Sequence, residues 1–256
     1  MATSSVESGQ GDAITLDRRQ VLTRLGVAGA VVWGAPLLAQ TPAYAAGSEC
    51  ATNRVLSWDG LATGSGGTRR VALPATTSYG VDGLELDVTV SQTFHGTTAN
   101  NGSGSFPRNR AVVAGPWGGV GTAATSFIMI YQSANNGTGT GSYLDFSFTK
   151  PVKDISFYIT DIDYATGQYD DRVIMTPTFT RTNQGSSTIT GTGTTGDAFY
   201  RPQEGNVADN SSAGTILVTY SGAPVTDFQI DFLLGSRTGG GSHAIFVSDV
   251  TFNSCT

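Results

Sequence analysis

Four aspartates lie close together in the chain, Asp161 and Asp163 just after Ile159, and the adjacent pair Asp170 and Asp171. Strand-like alternation places Asp161 and Asp163 on the same side as Ile159, where a core-facing strand ends in a loop. A calcium ion held by Asp161, Asp163 and Asp170 or Asp171 would satisfy these carboxylates, because hard cations take several oxygen ligands. The alternative is that the arginine after Asp171 and loop amides neutralise them without a metal.

Three aromatic residues are candidates for contact with a carbohydrate. Trp117 lies among glycines, and Tyr164 and Tyr169 flank the acidic stretch. An aromatic ring presents a large apolar face on which a sugar can stack, and loop Asn, Asp and Thr side chains supply hydrogen bonds. The alternative for Trp117 is a plug over one end of the fold. Exposure of the three rings separates these interpretations.

One short segment has an enzyme-like spacing. Glu85 and Asp87 resemble the start of the Glu-x-Asp-x-x-Glu signature of laminarinase-like glycoside hydrolases, which are jelly rolls, but the third position is Val90. Glycoside hydrolysis needs two carboxyl groups that flank the scissile bond. The missing acid favours a protein that recognises its ligand without cleaving it, with a secreted carbohydrate-active enzyme of jelly-roll type as the alternative.

The two histidines, His95 and His243, lie in separate glycine-containing segments. Neither has a Cys or His at ligand spacing, so a zinc site is not expected, and both are predicted to be solvated. The chain has 14 Lys and Arg against 20 Asp and Glu, for a net charge of −6. So acidic a chain offers no basic stripe for a phosphate backbone, which argues against a nucleic-acid partner.

The first 45 residues have the organisation of an export signal. Arg18 and Arg19 precede an apolar run at 25–39, and Ala43 and Ala45 supply a small-x-small cleavage site. The order resembles a bacterial twin-arginine (Tat) leader, whose paired arginines are read by a receptor. The resemblance implies cleavage after Ala45 and a mature domain at 46–256 that is secreted or at the cell surface, without a stable membrane span.

The only two cysteines, Cys50 and Cys255, stand at the two ends of the predicted mature domain. Cysteines in even number in an exported protein usually pair, so a disulfide between them is predicted. Such a bond requires that the first and last strands are neighbours.

Short alternating apolar stretches separated by Gly, Asn, Pro and Thr clusters run through the chain from Val55 onward, which indicates about ten strands and little helix. In one domain this favours an all-β fold, a two-sheet sandwich of jelly-roll type. Pro151 is expected to mark a turn between two strands. Segments 91–110, 133–142 and 182–196, rich in small polar residues, are expected to be surface loops.

The stretch from Leu144 to Val173 has the pattern Phe-x-Phe, then Ile-Thr-Asp-Ile-Asp, then Asp-x-Val. This pattern resembles β-sandwich modules that recur in secreted bacterial surface proteins. The resemblance implies the fold and an exported, surface-associated setting, and it implies no activity. The favoured hypothesis for the domain is an exported recognition or surface-associated protein whose partner is a glycan or an envelope component. A structural component of the cell envelope is the second alternative.

Overall fold

The computed structural model describes residues 50–59, 70–72, 76–81, 86–95, 111–115, 117–121, 126–133, 141–236 and 242–255. Fourteen strands make up most of this described part: β1 (Cys50–Leu56), β2 (Arg70–Ala72), β3 (Thr76–Gly80), β4 (Asp87–His95), β5 (Ala111–Ala114), β6 (Ser126–Ser133), β7 (Gly141–Thr160), β8 (Tyr164–Ala165), β9 (Tyr169–Thr176), β10 (Thr180–Asn183), β11 (Ile216–Tyr220), β12 (Val225–Leu234), β13 (Ser242–Val247) and β14 (Val250–Cys255). A 3-10 turn, Ser212–Gly214, precedes β11. The strands belong to one compact unit, Glu49–Thr256. The predicted leader lies outside the described residues.

Alternation along the strands decides which residues form the core. In β12 every second residue from Phe228 to Leu234 is buried. The same period of two buries Leu144, Phe146 and Phe148 of β7. Apart from Leu233, the intervening residues are polar, and all of them are less buried than the core residues. The alternating pattern in the sequence therefore predicts the buried face correctly in both strands.

Strand β7 is the centre of the fold because it belongs to two sheets. Residues 141–148 pair with β4 and β12, whereas residues 155–159 pair with β11 and residues 152–156 with β14. Pro151, expected to mark a turn, lies within this single 20-residue strand. The expectation of a turn between two strands is wrong, because the chain passes from one sheet to the other within a continuous strand. The left-handed backbone of Asp154, with φ +51°, shifts the alternation there.

The two halves of β7 place two antiparallel layers face to face. The first layer contains β3, β4, the first half of β7, β12 and β9, and the second contains β1, β14, the second half of β7, β11 and β10. Rings meet between the layers, with centroids 5.5 Å apart for Phe157 and Phe228 and 5.2 Å apart for Phe148 and Phe252. The chain is thus an all-β sandwich of jelly-roll type, as the sequence predicts.

The two ends of the domain are joined covalently. Cys50 and Cys255 are register partners in the β1–β14 pair and form a disulfide, with their Cα atoms 4.0 Å apart. The predicted bond and the predicted adjacency of the first and last strands are both confirmed.

Two of the three expected loops, 91–110 and 133–142, are described only in part. Residues 91–95 of the first, 91–110, continue β4 as strand, and 96–110 lie outside the described residues. In the third, bridges between Thr190 and Tyr200 and between Thr194 and Asp197 close a tight turn.

Candidate functional site

The predicted acidic residues meet where β7 ends and β9 begins. We use the term acidic cluster for Asp161, Asp163, Asp170 and Asp171. Backbone bonds hold the segment in place, because Asp171 N donates to Asp163 O at 3.0 Å and Ile162 N donates to Gly214 O at 3.0 Å. The cluster therefore lies on a fixed backbone between two strands.

Asp161 changes the direction of the chain at this point. Its backbone has φ +65°, in the left-handed region, so the alternation of β7 is reset after Thr160. Ile162 enters the core, and Asp161 no longer continues the side of Ile159. The expectation that Asp161 and Asp163 continue that side is wrong, because alternation holds only where the backbone stays extended.

Asp170 is neutralised by an arginine. Arg172 Nε and Nη2 donate to the two carboxylate oxygens of Asp170 at 3.0 and 3.1 Å, and the guanidinium lies 4.1 Å from the centre of the Tyr200 ring. This bidentate pair is the metal-free alternative that the sequence left open. It accounts for Asp170 alone and leaves the other three carboxyls of the acidic cluster without an arginine in hydrogen-bond contact among the described residues.

Asp163 and Asp171 form a buried pair next to His243. Asp163 Oδ2 accepts a hydrogen bond from Val207 N at 2.9 Å, and Asp171 Oδ2 accepts one from Asp163 N at 3.2 Å. Asp171 Oδ1 lies 2.9 Å from His243 Nδ1. His243 is only 1% exposed, so its predicted solvation is wrong. It is in phase with Ile245 and Val247 along β13, and this alternation is the sequence signal that would have predicted its burial.

Burial controls the protonation of this cluster. It raises the pKa of Asp161 to about 9, with the neighbouring Asp163 and Asp171 adding to the shift. Burial and the charge of Asp171 raise the pKa of Asp163 to about 8, against the hydrogen bond from Val207. Burial also raises the pKa of Asp171 well above its ordinary value and lowers the pKa of His243 to about 4. The three aspartates and His243 therefore favour their neutral forms near pH 7.

The acidic cluster can hold protons, or a cation in their place. Asp161 Oδ1 is shielded from solvent and has no hydrogen-bond partner in the described part of the chain, which leaves one oxygen available to a ligand. Within the described ranges, however, no three or more acidic, histidine or cysteine side chains are arranged to hold a metal ion. Calcium binding would therefore require these side chains to turn toward a common point.

The three aromatic candidates are not equally available. Trp117 is 5% exposed and stacks on Phe246 with centroids 4.1 Å apart, so it has no free face for a sugar and is the plug that the sequence left as an alternative. Tyr164 and Tyr169 are partly exposed. Their hydroxyls bond to Thr166 and Asn206, each at 2.7 Å. Both tyrosines remain candidates for ligand contact.

A polar cleft that the sequence did not indicate lies on the outer face of the first layer. It measures about 590 Å³ and crosses β4, β7, β12 and β9. Its polar lining comprises Ser91, Asp145, Ser147, Thr176, Thr226, Asp227 and Gln229. A smaller cleft of about 350 Å³ adjoins it at Thr176 and extends to Thr194 and Thr195. Both volumes lie in the range of small-molecule sites, roughly 300–1,000 Å³.

Hydrogen bonds across the strands hold the side chains of this face. Gln229 Nε2 donates to Asp145 Oδ1 at 2.6 Å. Asp231 lies two residues beyond Gln229 on β12. Its Oδ1 lies 2.7 Å from His95 Nε2, and the His95 ring stacks on Tyr143 with centroids 4.3 Å apart. His95 is thus partly buried and paired, which corrects its predicted solvation. The face carries an ordered set of donors and acceptors.

Of the enzyme-like pair Glu85 and Asp87, only Asp87 lies within the described residues. Asp87 is exposed on β4, on the same outer face as Ser91, whereas Glu85 lies outside the described residues. Asp87 N donates to Thr149 Oγ1 at 2.9 Å. Asp87 therefore adds a carboxylate to the face that carries the cleft.

Comparison with known proteins adds no family to this description. No protein-family model matches the sequence, and no curated protein matches it. In the described part of the chain, no helix has the length and apolar character needed to cross a membrane. Fold and site geometry are therefore the basis of the functional argument.

Proposed function

We propose that this chain is an exported extracellular recognition protein that binds a glycan without cleaving it. The polar cleft on the first layer carries the proposal. It combines hydroxyl, amide and carboxylate groups on neighbouring strands, and these groups match the alternating donors and acceptors of a sugar ring. A rigid sheet holds them in place, which lowers the entropy lost on binding.

The geometry of the cleft floor favours a glycan over a peptide added as a strand. β7 is paired with β4 and β12, and β12 with β7 and β9. A peptide that binds by strand addition needs an open sheet edge, and the central strands of the cleft have none. Recognition here depends on side chains, among them Ser91, Thr176 and Gln229.

Glycan binding is expected to fail when the cleft is filled. The change Thr176→Trp places a large ring where the two clefts adjoin, and we expect it to abolish the binding that a glycan array detects for the wild type. Thr180→Trp is the matched control, because Thr180 is an exposed threonine on β10, outside the cleft lining. Equal binding by Thr176→Trp and wild type would locate the ligand elsewhere, with Tyr164 and Tyr169 as the next candidates.

A catalytic role is the second candidate, because Asp145, Asp227 and Asp231 bring carboxylates to one sheet face. Glycoside hydrolysis requires an acid and a base or nucleophile on opposite sides of one bond. Release of reducing ends from β-glucans by wild type but not by Glu85→Gln or Asp145→Asn would replace recognition by catalysis. A structural envelope role would give neither binding nor hydrolysis.

Export by the twin-arginine route is the second part of the proposal, and the disulfide is compatible with an oxidising destination. The double change Arg18→Lys and Arg19→Lys is expected to stop secretion, because the receptor reads the arginine pair. Mass spectrometry of secreted wild-type protein should find a chain that starts at Ala46. Continued secretion of the lysine variant would indicate a different export route.

We also propose that the acidic cluster takes up calcium when its carboxyls ionise. Binding to the folded state alone raises stability by about 2.7 kcal/mol when the ion is at 100 times its dissociation constant. At pH 8 we expect calcium to raise the melting temperature of wild type and to have no effect on Asp161→Asn. Asp154→Asn, which removes an exposed carboxylate, is the control. An unchanged melting temperature in calcium and in chelator would leave protons and the Asp170–Arg172 pair as the full account.

A further inference from the structure

We infer that the cleft selects an amine-bearing oligosaccharide, a chain of 2-amino-2-deoxy sugars, over neutral and anionic ones; this rests on the proposed function of the same site. Among the described residues, the lining supplies two carboxylates, Asp145 and Asp227, and no lysine or arginine. An ammonium group on a sugar would complement this charge, whereas a uronic acid or a phosphate would be repelled.

The two carboxylates are placed to meet such a group. Asp145 is partly exposed, and Gln229 occupies its Oδ1. Asp227 is exposed, and Thr226 Oγ1 donates to its Oδ2 at 3.1 Å. No lysine or arginine in the described ranges forms an ion pair with either side chain. Their charge is therefore available to a ligand.

The remaining lining accounts for the sugar part of the ligand. Ser91, Ser147 and Thr176 supply hydroxyl groups around the carboxylates, and Gln229 supplies an amide. A small polyamine would use the carboxylates and leave these groups without partners. The smaller cleft continues from Thr176 and extends the concave surface. This length fits a ligand of several sugar units.

Two further carboxyl groups, those of Asp231 and Asp87, lie beside the cleft on the same face. Asp231 lies opposite Tyr143, two residues from Asp145 along β7, and is paired with His95. Burial raises the pKa of Asp231, and the charge of Asp145 adds to the shift against the hydrogen bond from His95. Asp87 stands on the same face of β4. The His95 contact and the raised pKa both reduce the charge of Asp231, so the exposed Asp87 is the neighbour that adds to the charge of Asp145 and Asp227. Negative charge concentrated on one face also speeds the approach of a cation.

The test compares two tetramers of equal length, one of glucosamine and one of N-acetylglucosamine, by isothermal titration calorimetry on the mature protein. At a pH of about 6 the free amines are protonated. We expect the glucosamine tetramer to bind about tenfold more tightly, since the two exposed or partly exposed carboxylates would each contribute a few-fold in affinity and the effects multiply. Raising the salt to about 0.5 M should remove most of the difference by screening.

Two variants and a control assign the effect to the cleft. Asp145→Asn and Asp227→Asn should each reduce glucosamine binding several-fold and leave N-acetylglucosamine binding unchanged. Asp154→Asn removes the same charge from an exposed position in the second half of β7 and should change neither.

The outcomes separate this inference from the proposed function. Equal affinity for the two tetramers, or a preference for the acetylated one, would overturn the amine selectivity and leave glycan recognition standing. Tight binding of spermine or a lysine-rich peptide, with neither tetramer bound, would overturn both. In a further outcome neither tetramer binds, another glycan binds, and Thr176→Trp abolishes the binding of that glycan. This outcome would overturn the amine selectivity alone.

Discussion

Removal of the Cys50–Cys255 disulfide should lower the free energy of unfolding by about 5 kcal/mol, the largest single loss expected in this chain. The two cysteines are separated by 205 positions, so the bond closes almost the whole domain into a loop. In the chain-entropy model such a loop restricts the unfolded ensemble by about that amount. Urea unfolding of wild type, with and without reductant, measures the difference.

The double variant Cys50→Ser and Cys255→Ser provides the matched test. It should unfold at the same urea concentration as reduced wild type, because both lack only the crosslink. We also expect β1 to exchange its amide hydrogens faster, since β14 is its single strand partner among the described residues. A loss of less than about 1 kcal/mol would show that the unfolded chain keeps its ends together without the bond.

Stability should fall as the pH rises from about 4 to about 8, because Asp161, Asp163 and Asp171 of the acidic cluster keep their protons in the folded state. The pKa of Asp163 is raised from 3.8 to about 8 and that of Asp161 to about 9. Between pH 3.8 and these folded-state pKa values, the unfolded chain has released protons that the folded chain retains. The contribution of each group is therefore full below pH 3.8 and is lost progressively as the pH rises toward the folded pKa.

His243 opposes this trend over part of the range. Its pKa is lowered from 6.5 to about 4, so between these values the unfolded chain binds the extra proton and stability rises with pH. One histidine acts against three aspartates, and its effect ends at pH 6.5. The steepest decline is therefore expected between about pH 6.5 and pH 8, with a fall in melting temperature on the order of 10 °C.

Thermal unfolding in chelator across this pH range tests the prediction. Asp163→Asn keeps an oxygen that can accept from Val207 N and removes the titrating group, so its profile should be flatter than that of wild type. Asp154→Asn should follow wild type, because its carboxylate is exposed. A wild-type stability that stays constant or rises from pH 6.5 to pH 8 would show that the cluster is ionised in the folded state.

The sequence by itself determined the fold class, the buried face of the described strands and the disulfide. Side chains in an extended chain alternate with a period of two, so Phe146, Phe157 and Phe228 are recognisable as core residues without knowledge of their neighbours. Likewise, a chain with only two cysteines leaves one intramolecular pairing. These properties depend on local pattern and on counting, which a single sequence contains.

Only the tertiary structure decided which polar groups became partners. His243 meets Asp171 across 72 positions, Gln229 meets Asp145 across 84, and His95 meets Asp231 across 136. Strand order and register bring these residues together, and local alternation does not specify either. The left-handed backbone at Asp161 reset the alternation that predicted its side chain. The cleft and the charge of its lining follow from the same long-range pairing of β4, β7, β12 and β9.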